Sequence, residues 1–330
     1  RMGRKLCQKE TRRIKLAGRE SMKIFRFGLP IYKKIIKNFS QGRGYGKNKS
    51  IRKILHFFDL LFRSNDVNVH GHKMYLTEKG FEEYSTQGIY GKLDTLVVER
   101  LIKPGDNVID VGAAIGYFTL IFARSVGNDG KVFAFEPKKD RYEILLKNIR
   151  VNNYTNVIIE KKAIMENNEK VGFFSRDDGI AGLRYRDNTK SMQQNLDDIK
   201  HKIPVDVVTV ELDDYLKKLD IIENISFMKI DVDGPELLVL QGSKLLLKNK
   251  NLIILMEWDE TLSKESGCEP SDIINILIEN NFRMFYPDFE KNGYYEISKK
   301  ELLEMPEKID QTINMLFVKE SSILEKNGLI

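Results

Sequence analysis

The sequence predicts an α/β fold, a doubly wound three-layer sandwich built around a mostly parallel sheet. From about residue 91 onward, short runs of β-branched and almost wholly apolar residues recur along the chain. Such runs are typical of strands that are buried on both faces of a parallel sheet. Amphipathic helical patterns separate them, and this alternation places helices on both faces of the sheet. The 330 residues, 42% of them hydrophobic, are enough for one large domain with an appendage.

The strands and helices follow one another along the chain. The five central strands are predicted at NVIDVG (107–112), KVFAFE (131–136), NVIIEK (156–161), SFMKID (226–231) and LIILME (252–257). Helical periodicity predicts helices at 116–126, 138–152, 235–248 and near 270–280. Further strands are predicted at the start of 205–216, where a helix follows, near 282–286 and at 312–319.

The N-terminal part of the chain differs from the rest in charge. Residues 1–60 contain 18 Lys or Arg and three acids, whereas the remaining residues are net acidic. Amphipathic patterns on both sides of a Gly- and Lys-rich stretch predict a basic α-helical arm over residues 1–63, followed by one domain over 64–330. The apolar faces of the arm either pack on the protein's own body or contact a membrane surface, and both alternatives stay open.

One segment of the domain breaks the regular alternation. Residues 175–204 are polar, contain glycines and lack periodic apolar positions. A stretch of this length without secondary structure inside a compact domain is typical of a lid, a binding loop or an insert. We therefore predict that it contributes to the substrate pocket.

The composition excludes several classes of protein. The two cysteines, Cys7 and Cys268, lie far apart, so neither a disulfide framework nor a cysteine zinc site is predicted. No run of about 18 apolar residues predicts a transmembrane helix, and no secretory signal follows the basic stretch. We expect a cytoplasmic protein, with the basic arm as its means of peripheral contact with the inner face of the membrane.

The segment VIDVGAAIGYFTLIFA (108–123) predicts a ligand-binding turn. Asp110 ends a strand, and Gly112 and Gly116 bracket the turn into the next helix, where backbone can approach a ligand closely. The G-x-G-x-x-G fingerprint of a nicotinamide dehydrogenase fails, because position 110 is Asp. Glu136 ends the second strand, 24 residues after Gly112, where an acid commonly accepts hydrogen bonds from ribose hydroxyls.

A second cluster is acidic. FMKIDVDGPELLVLQGS (227–243) places Asp231 at a strand end, Asp233 in the turn and Glu236 in the first turn of a helix. Helix capping and the helix dipole explain two acids, and Glu257 adds another carboxylate at the same edge. Close carboxylates raise one another's pKa, which is how a general base is tuned.

These motifs, in this order and spacing, resemble the FkbM-family S-adenosylmethionine-dependent methyltransferases from about residue 85 to 319. The resemblance implies a class I methyltransferase (Rossmann-like) sheet of seven strands with an antiparallel last strand. It implies S-adenosylmethionine as the cofactor and O-methylation of a sugar, a glycan or a lipid-linked glycan precursor as the activity.

The resemblance also implies roles for single residues. Asp231 is the first candidate for the base or acceptor-orienting group, and Glu257 is the second. No metal is expected, although oxygen ligands would suit Mg²⁺ in a metal-assisted variant that uses Asp231 with Asp233 or Glu236. The residues that would bind the cofactor are Asp110, Gly112, Ala113, Gly116, Tyr117, Glu136, Pro137, Lys162, Ala163 and Asp231.

The sequence departs from the family pattern at three positions. The family usually has Asn at Ala114, Glu at Asp233 and Ala at Pro235. Two alternatives therefore stay open: a non-catalytic protein that binds S-adenosylmethionine, and an RNA methyltransferase that uses the basic arm. The acidic body and the lack of an aromatic–proline tetrapeptide argue against a nucleic-acid substrate. The acceptor and the oligomeric state are not predicted.

Overall fold

The computed structural model describes residues 67–76, 91–168, 170–176, 184–185, 202–305 and 313–330. The predicted arm over residues 1–63 lies outside these residues. So does most of the predicted insert, namely 177–183 and 186–201.

The described residues form fourteen strands. Their bounds are β1 Val67–Val69, β2 His72–Met74, β3 Asn107–Val111, β4 Lys131–Phe135, β5 Val157–Glu160, β6 Ala163–Ile164, β7 Lys170–Arg176, β8 Arg184–Tyr185, β9 Lys202–Val210, β10 Ile225–Ile230, β11 Ile253–Trp258, β12 Arg283–Asp288, β13 Gly293–Ile297 and β14 Ile313–Val318.

The described residues also form nine α-helices. Their bounds are α1 Lys92–Leu101, α2 Tyr117–Val126, α3 Lys139–Val151, α4 Leu212–Leu219, α5 Glu236–Gln241, α6 Glu260–Glu265, α7 Pro270–Glu279, α8 Lys299–Glu304 and α9 Ser322–Lys326. None of these helices is long and apolar enough to cross a lipid bilayer.

The main sheet has eight strands in the order β13-β12-β14-β11-β10-β3-β4-β5. The five strands from β11 to β5 are parallel to one another. The last strand, β14, is inserted between β11 and β12 and is antiparallel to both. The predicted class I sheet with its antiparallel last strand is therefore confirmed.

Two details of the sheet and its helices differ from the prediction. An eighth strand, β13, forms a hairpin with β12, where the sequence analysis had predicted only a strand near 282–286. The helix predicted at 235–248 ends at Gln241, and a 3₁₀ turn follows at Leu246–Lys248. The break lies at Gly242, where a Cβ atom would stand 2.1 Å from the Met165 carbonyl oxygen, so close packing of two backbone segments ends the helix.

A smaller sheet of four strands, in the order β6-β9-β7-β8, adjoins the main sheet. β9 continues into α4 and confirms the strand and helix predicted over 205–216. β7 pairs with β9 in antiparallel register. The first residues of the predicted insert thus belong to a strand rather than to a loop.

The core divides between the two faces of the main sheet because successive side chains of a strand point to opposite faces. Ile109, Met228 and Ile254 pack on one face, and Val108 and Phe227 pack on the other. On the second face the apolar pattern stops near the carboxyl ends of the parallel strands. The side chains that replace it there are Asp110, Lys229, Asp231 and Glu257.

Candidate active site

A cleft opens at the carboxyl edge of the main sheet, where ligands bind in open α/β sheets. Six of the ten predicted cofactor residues line this cleft: Gly112, Glu136, Pro137, Lys162, Ala163 and Asp231. The other four, which are Asp110, Ala113, Gly116 and Tyr117, lie behind its wall.

The turn after β3 requires glycine at position 112. Gly112 has a φ angle of +82°, and a Cβ atom there would stand 1.8 Å from the carbonyl oxygen of Asp231. The amides of Gly112 and Ala113 both donate to the carbonyl oxygen of Phe135, at 3.0 Å each. Gly112 therefore allows the ends of β3, β4 and β10 to converge beneath the cleft.

Asp110 supports this turn from inside the core. Its side chain is buried, and the Thr119 hydroxyl at the start of α2 donates to its Oδ2 atom at 2.5 Å. Burial raises the pKa of Asp110 to about 6, against the opposing effect of the charge of Lys229. The structure thus places Asp110 as a link between β3 and α2.

Two more of the predicted cofactor residues also support α2. Gly116, at a φ angle of +95°, precedes α2, and a Cβ atom there would stand 2.5 Å from the Leu145 side chain. The Tyr117 hydroxyl lies 3.0 Å from the hydroxyl of Thr95 in α1. Both residues fix α2 against its neighbours behind the cleft.

Glu136 follows β4 and is almost wholly buried, with 2% of its surface exposed. Its Oε2 atom accepts a hydrogen bond from the amide of Ala114 at 2.9 Å, and its Oε1 atom accepts one from the amide of Lys138 at 2.8 Å. Burial raises the pKa of Glu136 to about 7, although nearby Arg141 and these two amides lower it. Each carboxylate oxygen accepts more than one hydrogen bond, so both retain capacity for the ribose hydroxyls of a nucleoside.

Lys162 and Ala163 border the cleft on the side of β5. The Lys162 ammonium forms an ion pair with Glu160 at 2.9 Å and lies 5.7 Å from the centre of the Tyr215 ring. Ala163 begins β6, which pairs with β9. These contacts fix the part of the cleft wall formed by Lys162 and Ala163, which the resemblance implies as cofactor-binding residues.

Three carboxylates converge at the end of the cleft nearest to β11. One oxygen each from Asp231, Asp233 and Glu257 lies within 4.8 Å of the other two, and we call these three residues the acidic rim. Asp233 and Gly234 have φ angles of +59° and +128°. These left-handed conformations make the tight turn that carries Asp233 to the side of Asp231.

Glu257 differs from the other two carboxylates of the acidic rim in having a buried oxygen without a partner in the described part of the chain. Its Oε2 atom is buried and has no hydrogen-bond partner among the described residues. Burial, together with the charges of Asp231 and Asp233, raises the pKa of Glu257 well above its usual value. The same causes, burial first and then Asp231, raise the pKa of Asp233, although Arg141 opposes them.

Glu236 has another role in the same turn. Its Oε1 atom accepts a hydrogen bond from the amide of Gly234 at 2.9 Å, and its side chain is buried. Burial raises the pKa of Glu236 to about 7. The structure thus brings Asp231 and Asp233 together as the sequence predicts, with Glu257 rather than Glu236 as the third carboxylate.

Lys229 is a site residue that was not predicted from the sequence. This side chain is 1% exposed, and its ammonium donates to Oδ2 of Asp231 at 2.5 Å. Burial alone would lower the pKa of Lys229, but the charges of Asp231 and Asp110 outweigh it and raise the pKa. A signal was present in the sequence: a lysine in an apolar strand, two residues before an acid, shares its face.

Asp94 was not predicted from the sequence either, because it lies more than a hundred residues from the acidic rim in the chain. It lies in the first turn of α1 and accepts a hydrogen bond from the Asn314 amide at 3.0 Å. Burial raises the pKa of Asp94 to about 6, with opposing effects from Lys229 and from Asn314. Periodicity gave no signal for this contact, since α1 and β14 meet only in the folded protein.

Comparison with known proteins gives the family. A family model described as the methyltransferase FkbM domain matches residues 110–284. The chain is 28% identical over 150 residues to methyltransferase 1 of Beauveria bassiana, which is 42% of this chain and 59% of that protein. It is 37% identical over 76 residues to the catalytic subunit of a tRNA (adenine(58)-N(1))-methyltransferase of Yarrowia lipolytica, which is 23% of this chain and 20% of that protein. The chain thus spans less than two thirds of these curated relatives.

A solved structure of methyltransferase FkbM from Methylobacillus flagellatus superposes with a TM-score of 0.37 and 13% identity, covering 68% of this chain and 50% of that one. The family match confirms the predicted enzyme class, a methyltransferase, and its cofactor, S-adenosylmethionine. The matched residues extend from Asp110 into β12 and include the whole cleft and the acidic rim. Because this match covers more than half of the sequence, the chain belongs to the FkbM methyltransferase family.

Proposed function

We propose that the protein transfers a methyl group from S-adenosylmethionine to a hydroxyl oxygen of a sugar, a glycan or a lipid-linked glycan precursor. The observation that carries this proposal is the acidic rim at the end of the cofactor cleft. An ionised carboxylate accepts hydrogen bonds and donates none. A sugar, which presents several hydroxyl donors, therefore complements this cluster of acceptors.

The chemistry of the donor defines what the protein must supply. The hydroxyl oxygen attacks the methyl carbon, the carbon–sulfur bond breaks with its electrons moving to sulfur, and the product is a neutral thioether. The hydroxyl proton must leave at the same time. Positioning of the two reactants contributes about 7–11 kcal/mol, and a general base contributes about 10²–10⁴-fold.

Asp231 and Glu257 differ in what they offer the acceptor. One oxygen of Asp231 is held by Lys229, which fixes the orientation of the carboxylate and leaves its other oxygen for an acceptor hydroxyl. Oε2 of Glu257 has no partner among the described residues. Within this proposal Asp231 orients the acceptor, and an open carboxylate oxygen of the acidic rim receives its proton.

The test is methyl transfer from labelled S-adenosylmethionine to separated lipid-linked sugars, glycans and RNA. Asp231→Asn should lower turnover by about 10²-fold or more and leave cofactor affinity within a few fold. Asp129→Asn is the matched control, because Asp129 is an exposed residue before β4, at the opposite edge of the sheet. Loss of cofactor affinity with normal turnover at saturation would assign Asp231 to the cofactor site instead.

A second candidate acceptor is RNA. The observation in its favour is the name of the Yarrowia lipolytica relative, a tRNA methyltransferase subunit, together with the 18 basic residues among the first 60. RNA binding through such an arm should weaken steeply with salt. Label in RNA, lost on removal of residues 1–60, would establish this candidate, whereas label confined to glycans would exclude it.

A peripheral membrane location is proposed on the same basic segment. Basic residues near an anionic surface contribute about 1 kcal/mol each, and a lipid-linked acceptor would lie at that surface. The full chain should float with anionic vesicles and not with neutral ones. Failure to float with either kind would reject the membrane location and leave the proposed methyl transfer untouched.

A further inference from the structure

The acidic rim contains more carboxylates than proton removal requires. A general base needs one carboxylate, whereas oxygens of Asp231, Asp233 and Glu257 lie within 4.8 Å of one another. Like charges at this separation repel one another. Within the described residues this is the one group of His, Cys, Asp or Glu side chains whose ligand atoms are close enough to share a metal ion.

A second observation concerns one oxygen of Glu257. The Glu257 side chain as a whole is partly exposed, yet its Oε2 atom is buried and has no hydrogen-bond donor among the described residues. Burial of a carboxylate oxygen without a donor or a cation is costly. A bound cation would supply the partner that this oxygen lacks.

The separations match one ion of ordinary size. Two ligands on opposite sides of one ion are about 4.2 Å apart for Mg²⁺ and about 4.8 Å apart for Ca²⁺, given their usual bond lengths to oxygen. Ligands at adjacent positions are closer. Three oxygens within 4.8 Å of one another can thus bind the same divalent cation.

The charge of the site points the same way. Lys229 donates to Oδ2 of Asp231, so the ammonium occupies one oxygen and the other is available to a ligand. The three carboxylates and this ammonium carry a formal charge of −2. A divalent cation neutralises that charge, and hard oxygen ligands suit Mg²⁺ or Mn²⁺.

We propose that Asp231, Asp233 and Glu257 form a binding site for a divalent cation of the Mg²⁺ type. Mg²⁺ commonly keeps several waters beside one or two carboxylates, so an acceptor hydroxyl can replace one of them. A carboxylate that binds through one oxygen keeps its other oxygen, and the acceptor proton can pass there. The role in holding the acceptor rests on the proposed methyl transfer, whereas binding of the cation does not.

The first experiment measures binding of Mn²⁺ alone to the chelator-treated full chain, with free Mn²⁺ counted by electron paramagnetic resonance. We expect one ion per chain, displaced by Mg²⁺. Glu257→Gln and Asp233→Asn should each weaken binding by about tenfold or more. Glu260→Gln is the matched control, since Glu260 pairs with Lys264 at 3.5 Å and is outside the group.

Circular dichroism should show that the variants fold, because Glu257→Gln keeps the size of the side chain and replaces an oxygen that has no partner among the described residues. Absence of saturable Mn²⁺ binding to the wild-type chain would overturn the proposal, as would equal binding to the Glu257→Gln variant. Unchanged methyl transfer after complete chelation would restrict the cation to a structural site and overturn its role toward the acceptor. Normal Mn²⁺ binding without transfer to any acceptor would reject the proposed function and leave the cation site standing.

Discussion

Two strand-end glutamates at the same edge of the sheet have opposite surroundings. Glu136 in the cofactor cleft accepts hydrogen bonds from two backbone amides, whereas Oε2 of Glu257 in the acidic rim accepts none from the described residues. Burial raises the pKa of both. The Glu136 carboxylate therefore has hydrogen-bond partners without its ligand, whereas Oε2 of Glu257 gains a partner only when a ligand binds. This contrast separates a pre-formed nucleoside site from a site that depends on an acceptor or a cation.

The largest expected effect comes from a substitution at Gly112, where the ends of β3 and β10 meet beneath the cleft. Gly112→Ala places a Cβ atom 1.8 Å from the carbonyl oxygen of Asp231 at a φ angle of +82°, so β3 and β10 must move apart. We expect a loss of more than about 4 kcal/mol in the free energy of unfolding, measured with urea. Gly105→Ala is the control, because its φ angle is +90° with nothing within 4 Å. It should lose only about 1–2 kcal/mol, and equal losses would contradict the steric argument.

The cofactor side of the comparison is tested by truncating Glu136. Glu136→Ala removes both acceptors of the ribose hydroxyls and releases the amides of Ala114 and Lys138. Calorimetry should show S-adenosylmethionine affinity reduced about 10- to 100-fold, which corresponds to about 1.4–2.7 kcal/mol. Asp129→Ala, an exposed acid outside the cleft lining and at the opposite edge of the sheet, should change affinity little. A comparable loss in this control would show that the effect does not come from the ribose contact of Glu136.

The sharpest test of the contrast is the sign of the change in stability. Glu136→Gln leaves one backbone amide facing an NH₂ group, and we expect it to destabilise the folded protein by about 1–3 kcal/mol at pH 8. Glu257→Gln removes a carboxyl group whose ionisation is disfavoured by burial and by the charges of Asp231 and Asp233, so at pH 8 it should stabilise the metal-free protein by about 1 kcal/mol. Urea unfolding in the presence of chelator measures both. Changes of the same sign would remove the distinction between the two sites.

The pH dependence of cofactor binding follows from the pKa of Glu136. Burial raises this pKa to about 7, above the unfolded value, so the folded apoprotein holds an extra proton between about pH 4.5 and 7. The contribution of Glu136 to the free energy of unfolding of the apoprotein therefore falls as pH rises from about 4.5 to 7. Ribose hydroxyls donate to the ionised form, so S-adenosylmethionine affinity should rise between pH 6 and 8, by at most about tenfold per pH unit. Titration calorimetry should find this rise absent in Glu136→Gln.

The sequence predicted the parallel strands well because β3, β4, β10 and β11 are buried on both faces and read as apolar runs. It missed β13, where burial does not alternate along the strand: Tyr295 and Glu296 are both exposed, between buried Tyr294 and Ile297. It placed the end of α5 too late, since the carbonyl of Met165 that meets Gly242 comes from a distant part of the chain. Local periodicity carries no information on such contacts.

In the candidate site, too, the residues with local roles were predictable and those that depend on distant contacts were not. Glu136 and the Gly112 turn were predictable, because their roles depend on position relative to a strand end. The presence of Glu257 instead of Glu236 in the acidic rim was not predictable. It depends on the hydrogen bond that the Gly234 amide donates to Glu236. Lys229 was missed because its charge is balanced across two strands, by Asp231 beside it and by Asp110 opposite.

The smallest expected effect concerns Ala114, whose amide donates to Glu136. Its φ angle is +48°, a left-handed conformation that costs a residue with a Cβ atom about 1–2 kcal/mol. Ala114→Gly relieves this strain but gains about 0.4–1 kcal/mol of unfolded-state entropy, so the net stabilisation should stay below about 1 kcal/mol. Ala114→Asn, which restores the residue that the family usually has, should also stabilise, because Asn tolerates this conformation. Ala113→Gly is the matched control: Ala113 is buried and lacks a positive φ angle, so the same substitution should destabilise. Urea midpoints measure all three, and a loss of stability in Ala114→Gly would show that the Ala114 methyl group, not the backbone, holds the amide against Glu136.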